Sequence, residues 1–198
     1  QTDINGRFII VNEANKYLYH AETLLTPIRE FESTKGFGFV NTIKREGKIR
    51  QTPLMFSINE SVYPSLNLEM IRVAQDASNH VLKVNSVGDK LEIKSGEVIS
   101  ETDLQGIFHF HYGDMDRFER ASVLDVMNNK IDLKDKIIII GSSAAGLGDF
   151  HSTSYQEDVP GPLFHLQVID QILGERFVNF HPVYDQIIYF ITALFSVV

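Results

Sequence analysis

The chain has 198 residues, 43% of them hydrophobic and 22% charged, which is the ordinary range of a soluble domain that buries one sizeable core. Eighteen Lys and Arg against 26 Asp and Glu give a net charge of -8, a field that repels phosphate backbones, so nucleic acid is not an expected partner. The absence of cysteine excludes a disulfide framework, a zinc ribbon, an iron–sulfur cluster and a thiol nucleophile.

The sequence begins at Gln1 with no basic-then-apolar signal segment, so this start reads as a boundary within a longer protein. Gly36 and Gly38 introduce FGFVNTI, and Arg45-Glu46-Gly47 then reads as a turn into KIRQTPLMFSI. That pattern predicts two strands joined in a hairpin, with Lys48, Arg50 and Thr52 on one face. Pro64 suits the first turn of a helix whose apolar stripe is Leu66, Met70, Val73 and Ala77. HVLKV, KLEI and GIFHFHY read as further strands, and in the last of them Phe108, Phe110 and Tyr112 point to one side.

Ser122 to Asp125 resembles a capping box opening a short helix that runs through Met127. Ile137 to Ile140, an uninterrupted apolar run after Lys136, predicts a central strand covered on both faces. After Gly161-Pro162 a helix is expected with Leu163, Leu166, Ile169 and Leu173 as its stripe, stopped at Gly174. Strands alternating with helices make the class α/β: one domain over residues 1–180, with a central, largely parallel or mixed sheet and flanking helices. The apolar run from Ile187 to Val198 is too short to span a bilayer, and residues 181–198 are read as the start of a transmembrane helix.

The loop GSSAAGLGDFHSTS, Gly141 to Ser154, leaves the carboxyl end of the expected central strand, where α/β folds bind ligands. As a phosphate loop it fails, because Leu147 and Gly148 stand where Lys and Ser/Thr are required. It lacks the third glycine of a dinucleotide fingerprint. As a nucleophile elbow around Ser143 it has Ala145 in place of the final glycine, with Asp149 and His151 poorly spaced for a linear relay. Metal binding has two candidate pairs, His109 with His111 on a strand and Asp149 with His151 on the loop, but polar residues on the solvent face of a half-exposed strand and an Asp capping its own loop explain them better, and no metal is expected. His165, in register with Ile169 and Ile172, reads as a hydrogen-bonded core histidine. No cofactor is expected, and the competing functional class is a serine or metal-dependent hydrolase using this loop.

In order, the blocks GFVNTIKREGKIRQTPLMF, YPSLNLEM, the FHYG strand end, SVLDVM and LKDKIIIIGSSAAGLGDFHSTSYQEDVPGPLFHLQVIDQIL resemble the type-two CHASE domain, an extracellular sensor module of bacterial transmembrane receptors. Gly141, Ser142, Gly146, Leu147, Asp149, Thr153, Pro160, Gly161 and His165 fit that family's pattern, and the resemblance runs from about Phe37 to Phe177. Members usually carry a further N-terminal βα half, of which only RFIIV has a counterpart here, and Ser154 stands where a proline is common. The resemblance implies a periplasmic sensor domain tied to the membrane by flanking helices. It implies a cytoplasmic cyclase or kinase output outside this chain, and no catalytic role for the module itself.

The expected ligand is an unidentified small molecule, and a homodimer is compatible with the reading. Its expected contacts are Ser142, Ser143, Asp149 and His151 at the rim of the main pocket, joined by Thr153 and His165.

Overall fold

The computed structural model describes residues 7–25, 27–31, 33–59, 61–142, 149–178 and 182–196. Strand β1, Phe8–Ile10, is followed after a long irregular stretch by the hairpin β2, Ile43–Arg45, and β3, Lys48–Pro53. Pro53 cannot donate to a ladder, and the chain breaks there. The expected second strand of the hairpin therefore becomes two, because Met55–Ile58 forms β4 and pairs with β5, Ser61–Pro64.

Pro64 ends β5 and does not open the next helix. Ser65 caps that helix, its Oγ accepting from the Leu68 amide at 3.2 Å, and α1 runs Leu66–Ala74. The buried face of α1 is also not the expected one. Leu68 and Ile71 are fully buried beside Glu69 and Arg72, whereas Leu66, Met70 and Val73 are only half-buried. A charged pair on the core side displaces the apolar stripe by a fraction of a turn.

The strands β6, His80–Val84, and β7, Lys90–Ser95, follow as predicted, and β8, Val98–Asp103, completes an antiparallel meander. β1 adds to the far side of β6 in parallel, giving a mixed sheet of order β1-β6-β7-β8. β9, Ile107–His109, pairs with β3 in a second sheet of order β2-β3-β9. Beyond it lie the short helix α2, Val123–Met127, capped by Ser122 as expected, and the two-residue strands β10, Phe150–His151, and β11, Val159–Pro160.

Helix α3, Gly161–Leu173, packs against α1 and β8, and α4 spans Pro182–Ser196. The fold is a single α/β domain with mixed sheets and flanking helices. Its core joins Leu68 and Ile71 of α1 to Phe164, Val168 and Ile172 of α3 over Leu82, Leu91 and Ile93 of the sheet. Each such side chain stabilises the fold by roughly 1.5–3 kcal/mol.

The four-isoleucine run is not the central strand. Residues 137–140 form no regular element and join no ladder, and no backbone hydrogen bond ties them to another described segment. Ile137 and Ile139 pack on the core while Ile138 and Ile140 are 45% and 87% exposed. The meander explains the difference: short antiparallel connections close the sheet around β7 before the chain reaches Ile137, and that segment is left to cover the core from one side.

Candidate ligand-binding site

The site is built on the β2–β3 hairpin. Glu46 and Gly47 both have positive φ, 52° and 76°, the two-residue turn that matches strand twist and needs glycine at its second position. This tight turn sets Arg45 opposite Lys48, and strand alternation then puts Arg45, Lys48, Arg50 and Thr52 on one face. On the other side of β3, Thr52 lies opposite Phe108, so the same face runs from arginines to aromatics.

Phe108, Phe110 and Tyr112 do point one way, and Phe110 meets Tyr112 edge-on at 5.0 Å between ring centroids. The strand end that carries them is pinned by the buried Gln171 of α3. The carboxamide of Gln171 accepts from the His111 amide at 2.9 Å and donates to the His111 carbonyl, replacing a missing strand partner.

A cavity of about 760 Å³ opens where this sheet meets the end of β8. Arg45 and Arg50 stand on its wall, Phe108, Phe110 and Tyr112 form its aromatic side, and Tyr155, Phe177 and Val178 close it. Its three acidic residues are engaged. Glu101 pairs with Lys90 at 2.9 Å, and Asp89 accepts from Asn85 at 2.8 Å. Asp103 accepts from the Gln105 and Ile107 amides at 3.0 and 2.8 Å, with His109 at 3.6 Å. Arg45 and Arg50 make no hydrogen bond or ion pair with any described residue. The Tyr112 hydroxyl is shielded from water and has no partner among the described residues, and burial pushes its pKa up.

The described end of the 141–154 loop, residues 149–154, reaches this cavity. Ser154 and Tyr155 line the cavity, whereas Ser142, Asp149, His151, Thr153 and His165 do not, and Ser143 falls outside the described residues. Thr153 is buried, and its hydroxyl donates to the Gln156 carbonyl at 2.6 Å and accepts from the Gln156 amide at 2.9 Å. That hydroxyl shapes its own turn.

Asp149, Oδ1 at 3.3 Å from His151 Nε2, sits against the first turn of α3. Its carboxylate lies so close to Gly161 that a Cβ there would collide with it, and its carbonyl accepts from the Gly161 amide at 3.0 Å. His151 Nδ1 is buried without a partner among the described residues.

His165 is the hydrogen-bonded core histidine expected of it. Its Nδ1 lies 2.8 Å from Asn67 Oδ1, and burial, with Asp149 opposing and His151 assisting, lowers its pKa to about 4. The fold thus gathers Asp149, His151 and His165, yet among the described residues no three His, Asp or Glu side chains could hold a metal ion.

The profile of the CHASE2 domain matches residues 7–198, beyond both ends of the stretch whose motifs carry the resemblance. The chain belongs to the CHASE2 domain family. Neither a curated protein nor a solved structure matches it.

CHASE2 domains are sensory domains of signalling receptors, so the question for this one is where a stimulus meets it. Sequence reasoning placed Arg50 on a strand face but assigned it no role. The groove of this CHASE2 domain joins β2, β3, β8, β9 and the 177–178 connection, and no local motif announces such an assembly. Reasoning from sequence also missed the buried network behind α1. His80 donates from Nε2 to Glu69 Oε2 at 3.2 Å and accepts at Nδ1 from Ser95 Oγ at 2.7 Å. Arg72 completes the network with bonds of 2.9 and 2.7 Å to the Glu69 carboxylate. This Ser–His–Glu order is that of a hydrolytic relay, but Ser95 and His80 are 0% exposed, and no substrate can reach them.

Among the described residues no helix is long and apolar enough to cross a membrane. Helix α4 nonetheless exposes Tyr189, Phe190, Leu194 and Phe195, each at 62% or more.

Proposed function

We propose that this CHASE2 domain is the signal-input module of a membrane-bound bacterial receptor, that it lies outside the cytoplasmic membrane, and that it binds a small ligand in the groove between the β2-β3-β9 sheet and the end of β8. The observation that carries this reading is the wall formed by Phe177 and Val178, because these residues belong to the connection between α3 and α4. A ligand touching them acts directly on the segment that leads into α4. The exposed apolar side chains of α4 suit the entry of a membrane helix, with Tyr189 among them as an interfacial aromatic.

Occupancy would shift α4 only to the extent that the ligand binds one position of the connection better than another. The receiving cyclase or kinase lies outside this chain. The 141–154 loop contributes through the Thr153 turn, which presents Ser154 and Tyr155 to the groove.

A thermal-shift screen of small metabolites tests the site, run in parallel on His111→Trp, an exposed position on the groove wall. At least one compound raises Tm of the parent, and the shift disappears in the variant. A compound whose shift survives His111→Trp but is lost in Asp149→Ala moves the site to the loop. Alkaline phosphatase and fluorescent-protein fusions after Val178 in the full-length gene test the topology; fluorescence without phosphatase activity would put the domain in the cytoplasm.

A further inference from the structure

The charges around the groove specify the chemistry of its occupant. The chain as a whole carries -8, and a cavity on such a surface is expected to favour cations. This one does not follow the average. Its carboxylates on Asp89, Asp103 and Glu101 are each already held by an amide or an ammonium group, while the guanidinium groups of Arg45 and Arg50 meet no described acceptor. Arg45 and Arg50 share a strand face without an acceptor among the described residues, and each keeps its donors available in the fork geometry that suits an oxyanion.

Beyond them on the same face lie Phe108, Phe110 and Tyr112, which offer an apolar surface and one buried hydroxyl without a partner among the described residues. The two halves are chemically unlike and adjacent. A free inorganic anion would leave the aromatic half empty, and an apolar compound would leave the arginines unanswered.

We propose that the groove binds an aromatic organic oxyanion, its carboxylate or phosphate held by Arg45 and Arg50 and its ring lying against Phe110 and Tyr112. This rests on the groove being the sensory site and adds the class of ligand. The bidentate geometry of each guanidinium suits a carboxylate or phosphate, while Lys90 on the same lining is taken up by Glu101.

Titration calorimetry on the 198-residue chain, with 2-naphthoate, 2-naphthyl phosphate, the uncharged 2-naphthamide and inorganic phosphate, tests the proposal. The two naphthyl anions bind, and the tighter of them tells carboxylate from phosphate. The amide and inorganic phosphate bind at least about tenfold more weakly than the anions. Arg45→Gln with Arg50→Gln removes that preference without changing the circular dichroism, because both side chains are exposed, and the paired lysine substitutions restore part of it.

Equal binding of charged and uncharged naphthalenes, abolished by His111→Trp, overturns the anion preference and leaves the groove as the site. Anion binding untouched by His111→Trp and by both arginine substitutions overturns the two readings together. No binding by any naphthyl probe overturns the ligand class, and the metabolite screen on His111→Trp then judges the groove alone.

Discussion

His165 of α3 and Asn67 of α1 are joined side chain to side chain, Nδ1 to Oδ1 at 2.8 Å, across the seam where the two helices pack. Because the amide oxygen only accepts, the neutral imidazole carries its proton on Nδ1 and donates it. Burial keeps the ring neutral by lowering its pKa from 6.5 to about 4. A histidine depressed in this way costs nothing above its unfolded pKa. As pH falls, the unfolded chain takes up a proton that the folded chain refuses, and stability is lost.

The loss from His165 runs between about pH 6.5 and 4 and amounts to roughly 3 kcal/mol. Burial also lowers the pKa of His80, which adds in the same direction. Urea denaturation at a series of pH values should show stability declining through this window, with a shallower decline in His165→Gln. A slope unchanged by that substitution would mean that His165 is protonated in the folded state.

The buried Glu69–Arg72 pair is expected to be sensitive to loss of one partner. Burial alone would push the Glu69 carboxyl up, but hydrogen bonds from His80 and Arg72 outweigh it and hold the pKa below the usual carboxylate range. Arg72→Ala leaves that carboxylate without its cation and also frees the Ala77 carbonyl, at a cost of roughly 3–5 kcal/mol, while the Lys35 carbonyl keeps its bond from Arg7. Equilibrium unfolding measures it; a loss below about 1 kcal/mol would mean that water reaches the pair.

Gly161 tests whether Asp149 shapes the loop. A methyl group at this position collides with the Asp149 carboxylate, so Gly161→Ala is expected to cost about 1–3 kcal/mol. Asp149→Ala in the same molecule should recover much of that loss, and a double-mutant cycle isolates the coupling. Additive effects would show that the loop moves aside freely.

Amide hydrogen exchange distinguishes the observed place of Ile137 to Ile140 from a central strand. With no backbone partner among the described residues, these four amides should exchange far faster than those of Leu91 and Ile93, which sit in the paired interior of β7. Protection equal to that of β7 would put the run back into a sheet.

Features that depend on near neighbours in the chain were legible without coordinates. The Glu46-Gly47 turn follows from its backbone demands, the Ser122 cap from a hydroxyl three residues before a free amide, and the common orientation of Phe108, Phe110 and Tyr112 from strand alternation. The place of α3 between Gly161-Pro162 and Gly174 was read in the same way, and the ordered blocks were enough to identify the family.

Tertiary structure decided what depends on competition between distant segments. Four isoleucines specify burial but not which surface buries them, and β7, the inner strand, is already flanked on both sides by β6 and β8 through short antiparallel connections. Glu69 and Arg72 are held in the core because His80, itself bonded to Ser95, comes from the sheet to complete the bonding of the carboxylate. The groove is the clearest case. Arg50, Phe110 and Phe177 are far apart in sequence, and only the pairing of β3 with β9 and the return of the chain after α3 bring a guanidinium, an aromatic face and the path to α4 around one cavity.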